Sequence, residues 1–175
     1  MIRTFKTHEV RMQEELTESL WEFEPCEGDY AGIKFQMATP GCFETNPLFA
    51  NYRGEAYFRK KITAGGNIRI ECKGVSHTAT VLLDGEQIAQ HYNAYHPFSV
   101  IKKDLTEGTH LLEIKVDNRF TEKSALHIPN DYMSYGGVSR PVVLEKIGAL
   151  YFEYVHVKTY HKNGKWTAGV KVAVH

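Results

Sequence analysis

Hydrophobic and polar residues alternate along most of the chain from residue 56 onward, which is the pattern of β-strands with one buried face. The alternating apolar positions are Ile68, Ile70 and Cys72; Leu112, Ile114 and Val116; Val155 and Val157; and Val170, Val172 and Val174. Asp84-Gly85 and Asn163-Gly164 separate such runs and favour type I′ hairpin turns. The pattern predicts antiparallel strands in an all-β sandwich or jelly roll.

The N-terminal part allows two interpretations. Met12, Leu16 and Leu20 recur at helical spacing over a charged segment, which favours a short helix. The same stretch could equally lead into an edge strand at residues 20–23, and the pattern leaves both interpretations open.

Two stretches have the composition of loops. Residues 24–55 contain many turn formers, such as Pro25, Gly28 and Pro40-Gly41, and are predicted to form long surface loops with short strands. Residues 118–137 form an irregular stretch that is long for a loop without a functional reason. Because binding residues usually lie on loops held by a rigid scaffold, this stretch is the first candidate site.

A domain boundary is predicted near residue 148, where Gly148 and Ala149 interrupt the strands. The two alternating runs that follow predict a single hairpin, and a lone hairpin is marginally stable. These strands either complete the first sandwich or open a second domain, and the pattern alone does not decide.

Composition excludes several classes of partner. The 175 residues carry 21 basic and 21 acidic side chains, so the formal charge of zero disfavours nucleic acid and membrane surfaces as partners. No apolar run approaches the length needed to cross a bilayer, and the first residues lack the pattern of a secretory signal. We therefore expect a cytoplasmic protein whose cysteines, Cys26, Cys42 and Cys72, are reduced and buried.

Common catalytic and metal motifs are missing from the sequence. There is no Gly-x-Ser-x-Gly elbow, and Cys42 has no recognisable base beside it. His91 and His96 are predicted to be a surface pair rather than ligands, since no His-x-His or His-Glu-x-x-His motif accompanies them. We expect no metal, no cofactor and no catalytic residue in this chain.

A polar and aromatic cluster precedes Gly136-Gly137, and its members are His127, Asn130, Asp131, Tyr132 and Tyr135. Carboxylates and amides bind sugar hydroxyls through paired hydrogen bonds, and aromatic rings pack against the C–H face of a sugar. A well-ordered turn would use the same residue types, with Asp131 capping backbone N–H groups and the tyrosines covering the end of the sandwich. Residue types alone do not separate these interpretations.

The run NDYMSYGGVSRPVVLEK, residues 130–146, resembles the end of the sugar-binding domain of glycoside hydrolase family 2. Other blocks that resemble this family occur in order along the chain: residues 20–23, Pro40-Gly41, residues 51–60, the run KGVSHTATVLLDGEQIAQH, residues 95–98 and residues 116–118. The resemblance to β-galactosidases and β-glucuronidases spans residues 16–160.

This resemblance implies a galactose-binding-like jelly-roll β-sandwich for residues 1–148. Residues 149–175 would be the truncated start of an immunoglobulin-like sandwich, and a catalytic (β/α)₈ barrel would follow. The family's acid/base lies in an Asn-Glu dipeptide, which does not occur in these 175 residues. We therefore expect a sugar-binding accessory domain that does not hydrolyse substrate, within a parent enzyme that cleaves O-glycosidic bonds with retention.

The resemblance also implies roles for individual residues. Asp131 matches the acidic residue that reaches from this domain into the glycone pocket of the barrel, where it positions substrate. Tyr132 would form a wall of the same pocket, and Arg140 matches an arginine with a structural role after Gly136-Gly137. The glycone, galactoside or glucuronide, stays open, because the segment from Asn118 to Asn130 is shorter than in the most similar β-glucuronidases.

The expected partners are a β-glycoside substrate, held jointly with the barrel, and further copies of the parent enzyme in a homo-oligomer. Two other functions stay in view. One is a self-sufficient carbohydrate-binding module of jelly-roll type, and the other is a structural domain that helps to hold an oligomer, with Asp131 as a loop cap only.

Overall fold

The computed structural model describes residues 12–121 and 134–175, and nearly all of their regular structure is β. The strands of these residues are β1 (Gln13–Glu15), β2 (Ser19–Pro25), β3 (Phe35–Thr39), β4 (Glu55–Cys72), β5 (Thr78–Leu83), β6 (Glu86–His91), β7 (Phe98–Asp117), β8 (Val142–Ile147), β9 (Phe152–Lys162) and β10 (Lys165–Val174). All strand pairs are antiparallel, which confirms the all-β prediction.

Eight strands form one branched sheet in the order β1-β8-β4-β7-β5-β6, with β2 paired to both β3 and β4. Strand β4 pairs along its first half with β2 and along its second half with β8, while β7 follows nearly its whole length. The register shifts around Gly66, whose φ of 70° is open to glycine but strained for other residues. The bulge lies between the half of β4 that pairs with β2 and the half that pairs with β8, so it separates two parts of the sheet.

The predicted alternation positions the core. Ile68, Ile70 and Cys72 on β4 are each at most 2% exposed, and Leu112, Ile114 and Val116 on β7 are fully buried. An aromatic group centred on Phe23 fills one end of the core. Its ring lies 5.0 Å from Phe49 and 5.2 Å from Phe58, in tilted or edge-on geometry. Burying each such ring contributes about 1.5–3 kcal/mol.

Both predicted hairpin turns are present. Asp84 and Gly85 have φ values of 51° and 81°, and Asn163 and Gly164 have 51° and 74°. Positive φ at both central residues is the requirement of a type I′ turn, which is why Asx-Gly pairs occur there.

The helical interpretation of the N-terminus is wrong for the residues that the structure describes. Leu16 is 2% exposed, but Met12 and Leu20 are 72% and 62% exposed, so the three residues share no buried face. The indole Nε1 of Trp21 donates to the carbonyl of Leu16 at 3.0 Å. Strand β2 is also not an edge strand, because it has a partner on each side.

Residues 26–54 connect β2 to β4 mainly by irregular backbone, with β3 and two 3-10 helices, Phe43–Thr45 and Pro47–Phe49. Phe43 and Phe49 enter the core, which holds this long connection against the sandwich. All three cysteines are free, but only Cys72 is fully buried, and Cys26 and Cys42 are half-buried. Among the described residues no helix is long and apolar enough to span a membrane.

Strands β9 and β10 pair only with each other in the described part of the chain. The register places Val157 opposite Val170 and Val155 opposite Val172, so four valines share one face. These valines are 43–60% exposed. The base of this hairpin is tied to the sandwich by Arg69, whose Nη2 donates to the carbonyl of Phe152 at 2.8 Å.

Candidate functional site

The predicted site residues Asp131 and Tyr132 lie outside the described residues, together with His127 and Asn130. Tyr135 is the one member of the predicted cluster that the structure describes, and its side chain is 54% exposed. Residues 117–121 and 134–137, on either side of this segment, form the described part of the site.

The two sides of the segment lie against each other. A Cβ atom added to Gly136 would lie 2.4 Å from the Cβ of Asn118, so only glycine fits at this close approach. The N–H of Phe43 donates to the carbonyl of Gly136 at 2.8 Å, which ties the irregular backbone at Gly136 to the first 3-10 helix. Asn118 and Gly136, on either side of the segment, are therefore neighbours in space.

A buried carboxylate, Glu44, links these two points. Its side chain is 4% exposed, and its Oε1 accepts hydrogen bonds from the N–H of Gly136 at 3.1 Å and from Nη1 of Arg53 at 3.1 Å. Nδ2 of Asn118 lies 3.4 Å from the same oxygen. Three donors around one buried carboxylate form a charge-assisted network, which we call the Glu44 clamp.

Arg53 and Asn118 extend the Glu44 clamp into the backbone on both sides. Nη1 of Arg53 also donates to the carbonyl of Ser134 at 3.0 Å. Asn118 is fully buried: its Oδ1 accepts from the N–H of Gly54 at 2.9 Å, and its Nδ2 donates to the carbonyl of Tyr52 at 2.8 Å. The buried amide is hydrogen-bonded at both ends, as burial requires.

The second glycine of the pair, Gly137, lies against Gly41, a residue far from it in the sequence. Gly137 has a φ of 137°, and a Cβ atom there would lie 2.5 Å from the carbonyl oxygen of Gly41. Gly137 also forms an antiparallel bridge with Ser76 through hydrogen bonds of 2.9 and 3.0 Å. Pro40-Gly41, the Ser76 region and Gly136-Gly137 therefore converge at one end of the sandwich.

His77 lies at the floor of this end. It is fully buried, its ring centroid is 5.3 Å from that of Phe120, and its two ring nitrogens have no hydrogen-bond partner among the described residues. Burial lowers the pKa of His77, so the imidazole is neutral at pH 7. The ring acts here as an aromatic packing surface for Phe120 rather than as a charge.

Asp117 and Arg119 form an ion pair at the start of the segment. Nε and Nη2 of Arg119 lie 2.9 and 2.8 Å from the two carboxylate oxygens of Asp117, and Nη1 lies 3.1 Å from Glu27. Burial by itself raises the pKa of Asp117, but the hydrogen bonds from Arg119 outweigh it and lower the pKa overall. This guanidinium is occupied by two carboxylates of its own chain.

The structure also describes the histidines and the cysteine that the sequence analysis weighed as ligands or nucleophile. No group of three potential metal ligands occurs among the described residues. His91 stacks on Phe98 with ring centroids 4.4 Å apart, while His96 lies 3.4 Å from Nδ2 of Asn93, so the structure does not join the two histidines as ligands. Burial and the neighbouring Glu44 raise the pKa of the Cys42 thiol, which keeps it protonated at pH 7.

Arg140, for which the resemblance implied a structural role, is exposed and contacts two loops. Its Nη1 donates to the carbonyl of Tyr95 at 3.2 Å, and its side chain fills the space in which a Cβ of Gly74 would lie. Arg140 thus links the irregular segment before β8 to the loop before β7.

The sequence analysis did not single out the Glu44 clamp. Arg53 and Asn118 fall inside blocks that carried the family resemblance, so a signal for these two residues was present. Glu44 falls outside those blocks, and nothing in its local sequence separates it from an exposed loop glutamate.

Comparisons with known proteins agree with this architecture. The profile of the family described as "Glycosyl hydrolase 2 galactose-binding domain-like" matches residues 49–150. Among curated proteins there is no significant match to the chain.

Three solved structures illustrate the likeness. A GH2 β-galacturonidase from Eisenbergiella tayi, solved with bound galacturonate, is 46% identical over 99% of this chain with a TM-score of 0.89. A β-D-glucuronidase from Dictyoglomus thermophilum is 20% identical over 98% of the chain with a TM-score of 0.77. A β-glucuronidase from an uncultured Clostridium species is 18% identical over 99% of the chain with a TM-score of 0.81.

The chain corresponds to about a third of each of these proteins, covering 31%, 34% and 35% of their lengths. The two glucuronidases, at 20% identity or below, share the fold.

Proposed function

Because the chain belongs to the galactose-binding-like domains of glycosyl hydrolase family 2, we propose that it serves as the sugar-positioning domain of a retaining β-glycosidase. The observation that carries the proposal is the 46% identity to a β-galacturonidase over 99% of this chain. In this proposal the catalytic carboxylates, about 5 Å apart in retaining enzymes, belong to a barrel outside these 175 residues. The chain then contributes binding and orientation, and the barrel contributes bond cleavage.

Asp131 is the proposed contact of this domain with substrate, and Tyr132 the proposed wall beside it. The Glu44 clamp supports this role because it fixes the two points between which the chain carries Asp131. A side chain that positions substrate must be held to a fraction of an ångström, and rigid anchors on a sandwich meet that need. The carboxylate would accept hydrogen bonds from sugar hydroxyls that strengthen as the ring flattens.

We propose a β-galacturonide as the substrate, a glycone that the sequence analysis left open. The support is the 46% identity of this chain to a β-galacturonidase that was solved with bound galacturonate. A uronide carries its own carboxylate, and two like charges in one site repel. Asp131 would therefore address the hydroxyl edge of the sugar, while cations of the barrel bind the uronate group.

The proposed domain arrangement keeps the boundary at residue 148. The isolation of β9 and β10 from the eight-stranded sheet supports residues 149–175 as the start of an immunoglobulin-like sandwich. The exposed valine face of this hairpin would be covered by later strands of that second domain. Cytoplasmic location is supported by the three free thiols, which are typical of a reducing compartment.

The test is kinetic and uses the full-length enzyme with 4-nitrophenyl β-galacturonide, β-glucuronide and β-galactoside. We expect the highest kcat/KM on the galacturonide. Asp131→Ala should lower that value by about 2 kcal/mol, or roughly 30-fold, because a transition-state contact is lost. The exposed Asp29 provides the matched control, and Asp29→Ala should leave kcat/KM unchanged. Equal values for wild type and Asp131→Ala would refute the assignment.

A further inference from the structure

We propose that the outer face of strands β5, β6 and β7 is a second saccharide site, which binds a neutral oligosaccharide through described side chains of these strands and of the residue that follows β6. A groove of about 1040 Å³ runs over this face. Its volume is slightly above the usual range for small-molecule sites, about 300–1,000 Å³. The inference goes beyond the proposed function, because it concerns binding by the sandwich itself.

Strand register positions the polar side chains of the groove. Thr80 lies opposite Gln90 on β6 and opposite Lys115 on β7, and Thr78 lies opposite Asp117. The intervening residues of β5, Ala79 and Val81, are fully buried. Because side chains alternate along a strand, both threonines point outward into the groove together with their cross-strand neighbours.

The uncharged polar groups of this face have free hydrogen-bonding capacity. Within the described part of the chain, no hydrogen bond involves the side chains of Thr78, Thr80, Gln87, Gln90 or Tyr92. Two amides and two hydroxyls on neighbouring strands offer both donors and acceptors at fixed spacing. This is the set that matches vicinal sugar hydroxyls, each of which both donates and accepts.

The charges in the groove compensate each other. Nζ of Lys115 lies 3.0 Å from Oε1 of Glu55, and Asp117 is bound by Arg119 at 2.8 Å. Each of these two described cations already has a carboxylate partner, so an anionic ligand or a phosphate backbone would have to displace an existing ion pair. Charge complementarity therefore favours a neutral ligand.

Tyr92 supplies the apolar component. Its ring follows the end of β6, lines the groove and is 64% exposed. An exposed aromatic ring beside amides and hydroxyls packs against the C–H face of a pyranose while the polar groups bind its hydroxyls. The described side chains that line the groove include no aliphatic residue, which makes this part of the surface a poor match for the apolar centre of a protein interface.

The test is a titration of the 175-residue chain followed by ¹H–¹⁵N NMR. The probes are cellopentaose and β-1,4-linked galactopentaose as neutral ligands, and trigalacturonate as the charged one. We expect saturable shifts with a neutral probe, at a Kd on the order of 1 mM or below. The shifted amides should include those of Thr80, Gln90 and Lys115. No activity is measured, so the result is independent of the kinetics of Asp131→Ala.

Variants locate the site. Tyr92→Ala should weaken binding about tenfold, whereas Tyr92→Phe keeps the ring and should remain within about twofold of wild type. Gln90→Ala removes one amide of the groove and should also weaken binding, independently of Tyr92. The control is Tyr160→Ala on β9, a tyrosine that is 54% exposed away from the groove and should not change the affinity.

Three outcomes would overturn the inference: no saturable shift with either neutral probe, tighter binding of trigalacturonate than of both neutral probes, or an affinity that Tyr92→Ala and Gln90→Ala leave unchanged.

Discussion

The backbone N–H of Gly136 donates to the carboxylate of Glu44 at 3.1 Å, and 92 residues of chain separate the two. Nη1 of Arg53 lies at the same distance from the same oxygen. A single buried carboxylate therefore joins the connection between β2 and β4 to the irregular segment that precedes β8.

Glu44→Gln should destabilise the chain although it barely changes side-chain size. In the wild type, the donors around residue 44 meet a carboxylate, which only accepts hydrogen bonds. The glutamine amide would remove the negative charge and could place an N–H₂ donor among these donors, so charge-assisted bonds are lost. We expect the free energy of unfolding to fall by about 2 kcal/mol, measured by urea denaturation. The matched control is Glu86→Gln, which removes the exposed ion pair with Lys102 and should cost less than about 1 kcal/mol. Equal losses in both variants would argue against the Glu44 clamp.

Gly136→Ala should destabilise the sandwich by overpacking. The added methyl group would lie 2.4 Å from the Cβ of Asn118, so one of the two segments must move, at a cost of about 1–3 kcal/mol. Gly108→Ala is the control, because a Cβ at Gly108 meets nothing within 4 Å. We expect the control to be neutral or to stabilise by about 0.4–1 kcal/mol. Thermal unfolding of both variants tests the difference, and a melting temperature unchanged in Gly136→Ala would contradict the close approach.

The strands and turns could be predicted from the sequence because each depends on neighbouring residues. Alternation of Leu112, Ile114 and Val116 with charged residues predicts a strand whatever its partners are, and Asp84-Gly85 predicts its own turn. The Glu44 clamp could not be predicted, because pairing of residues 92 positions apart depends on the completed sandwich. Helical spacing at Met12 and Leu16 was misleading because burial there is set by contacts across the sheet.

The pair of His110 and Asp84 should make stability depend on pH. Nδ1 of His110 lies 2.6 Å from Oδ2 of Asp84. The hydrogen bond with Asp84 raises the pKa of His110 above its ordinary 6.5. The same bond lowers the pKa of Asp84 below its ordinary 3.8.

The signs of the two shifts define the pH window. The stabilisation from His110 is complete below pH 6.5 and is lost as the pH rises through the raised pKa of the folded state. The stabilisation from Asp84 is complete above pH 3.8 and is lost as the pH falls through the lowered pKa. The pair therefore stabilises the chain most between these two limits.

Asp84→Asn isolates this contribution, since Asn-Gly also forms a type I′ turn. Denaturation at pH 5.5 and pH 8 should show a smaller difference in the free energy of unfolding for the variant than for the wild type. An identical difference in both proteins would mean that the pair does not titrate as described.

The valine face of the β9–β10 hairpin should make the isolated chain self-associate. Val157 and Val170 lie directly opposite each other and are 54% and 60% exposed. Contiguous exposed apolar surface on a strand pair favours association with another molecule. Val157→Thr combined with Val170→Thr should therefore lower the weight-average mass in concentration-dependent light scattering.

The matched control alters the opposite face of the same hairpin, where His156 lies opposite Lys171. His156→Thr combined with Lys171→Thr should leave association unchanged, because these side chains contribute no apolar surface.

In the full-length enzyme the valine substitutions should be harmful, and the control substitutions should not. There the valine pair would be buried by the proposed second domain, and placing two threonine hydroxyls in that interior should lower stability by about 1–3 kcal/mol for each unpaired hydroxyl. A full-length enzyme that tolerates the valine substitutions as well as the control ones would show that this face stays exposed and that the hairpin does not begin a second sandwich.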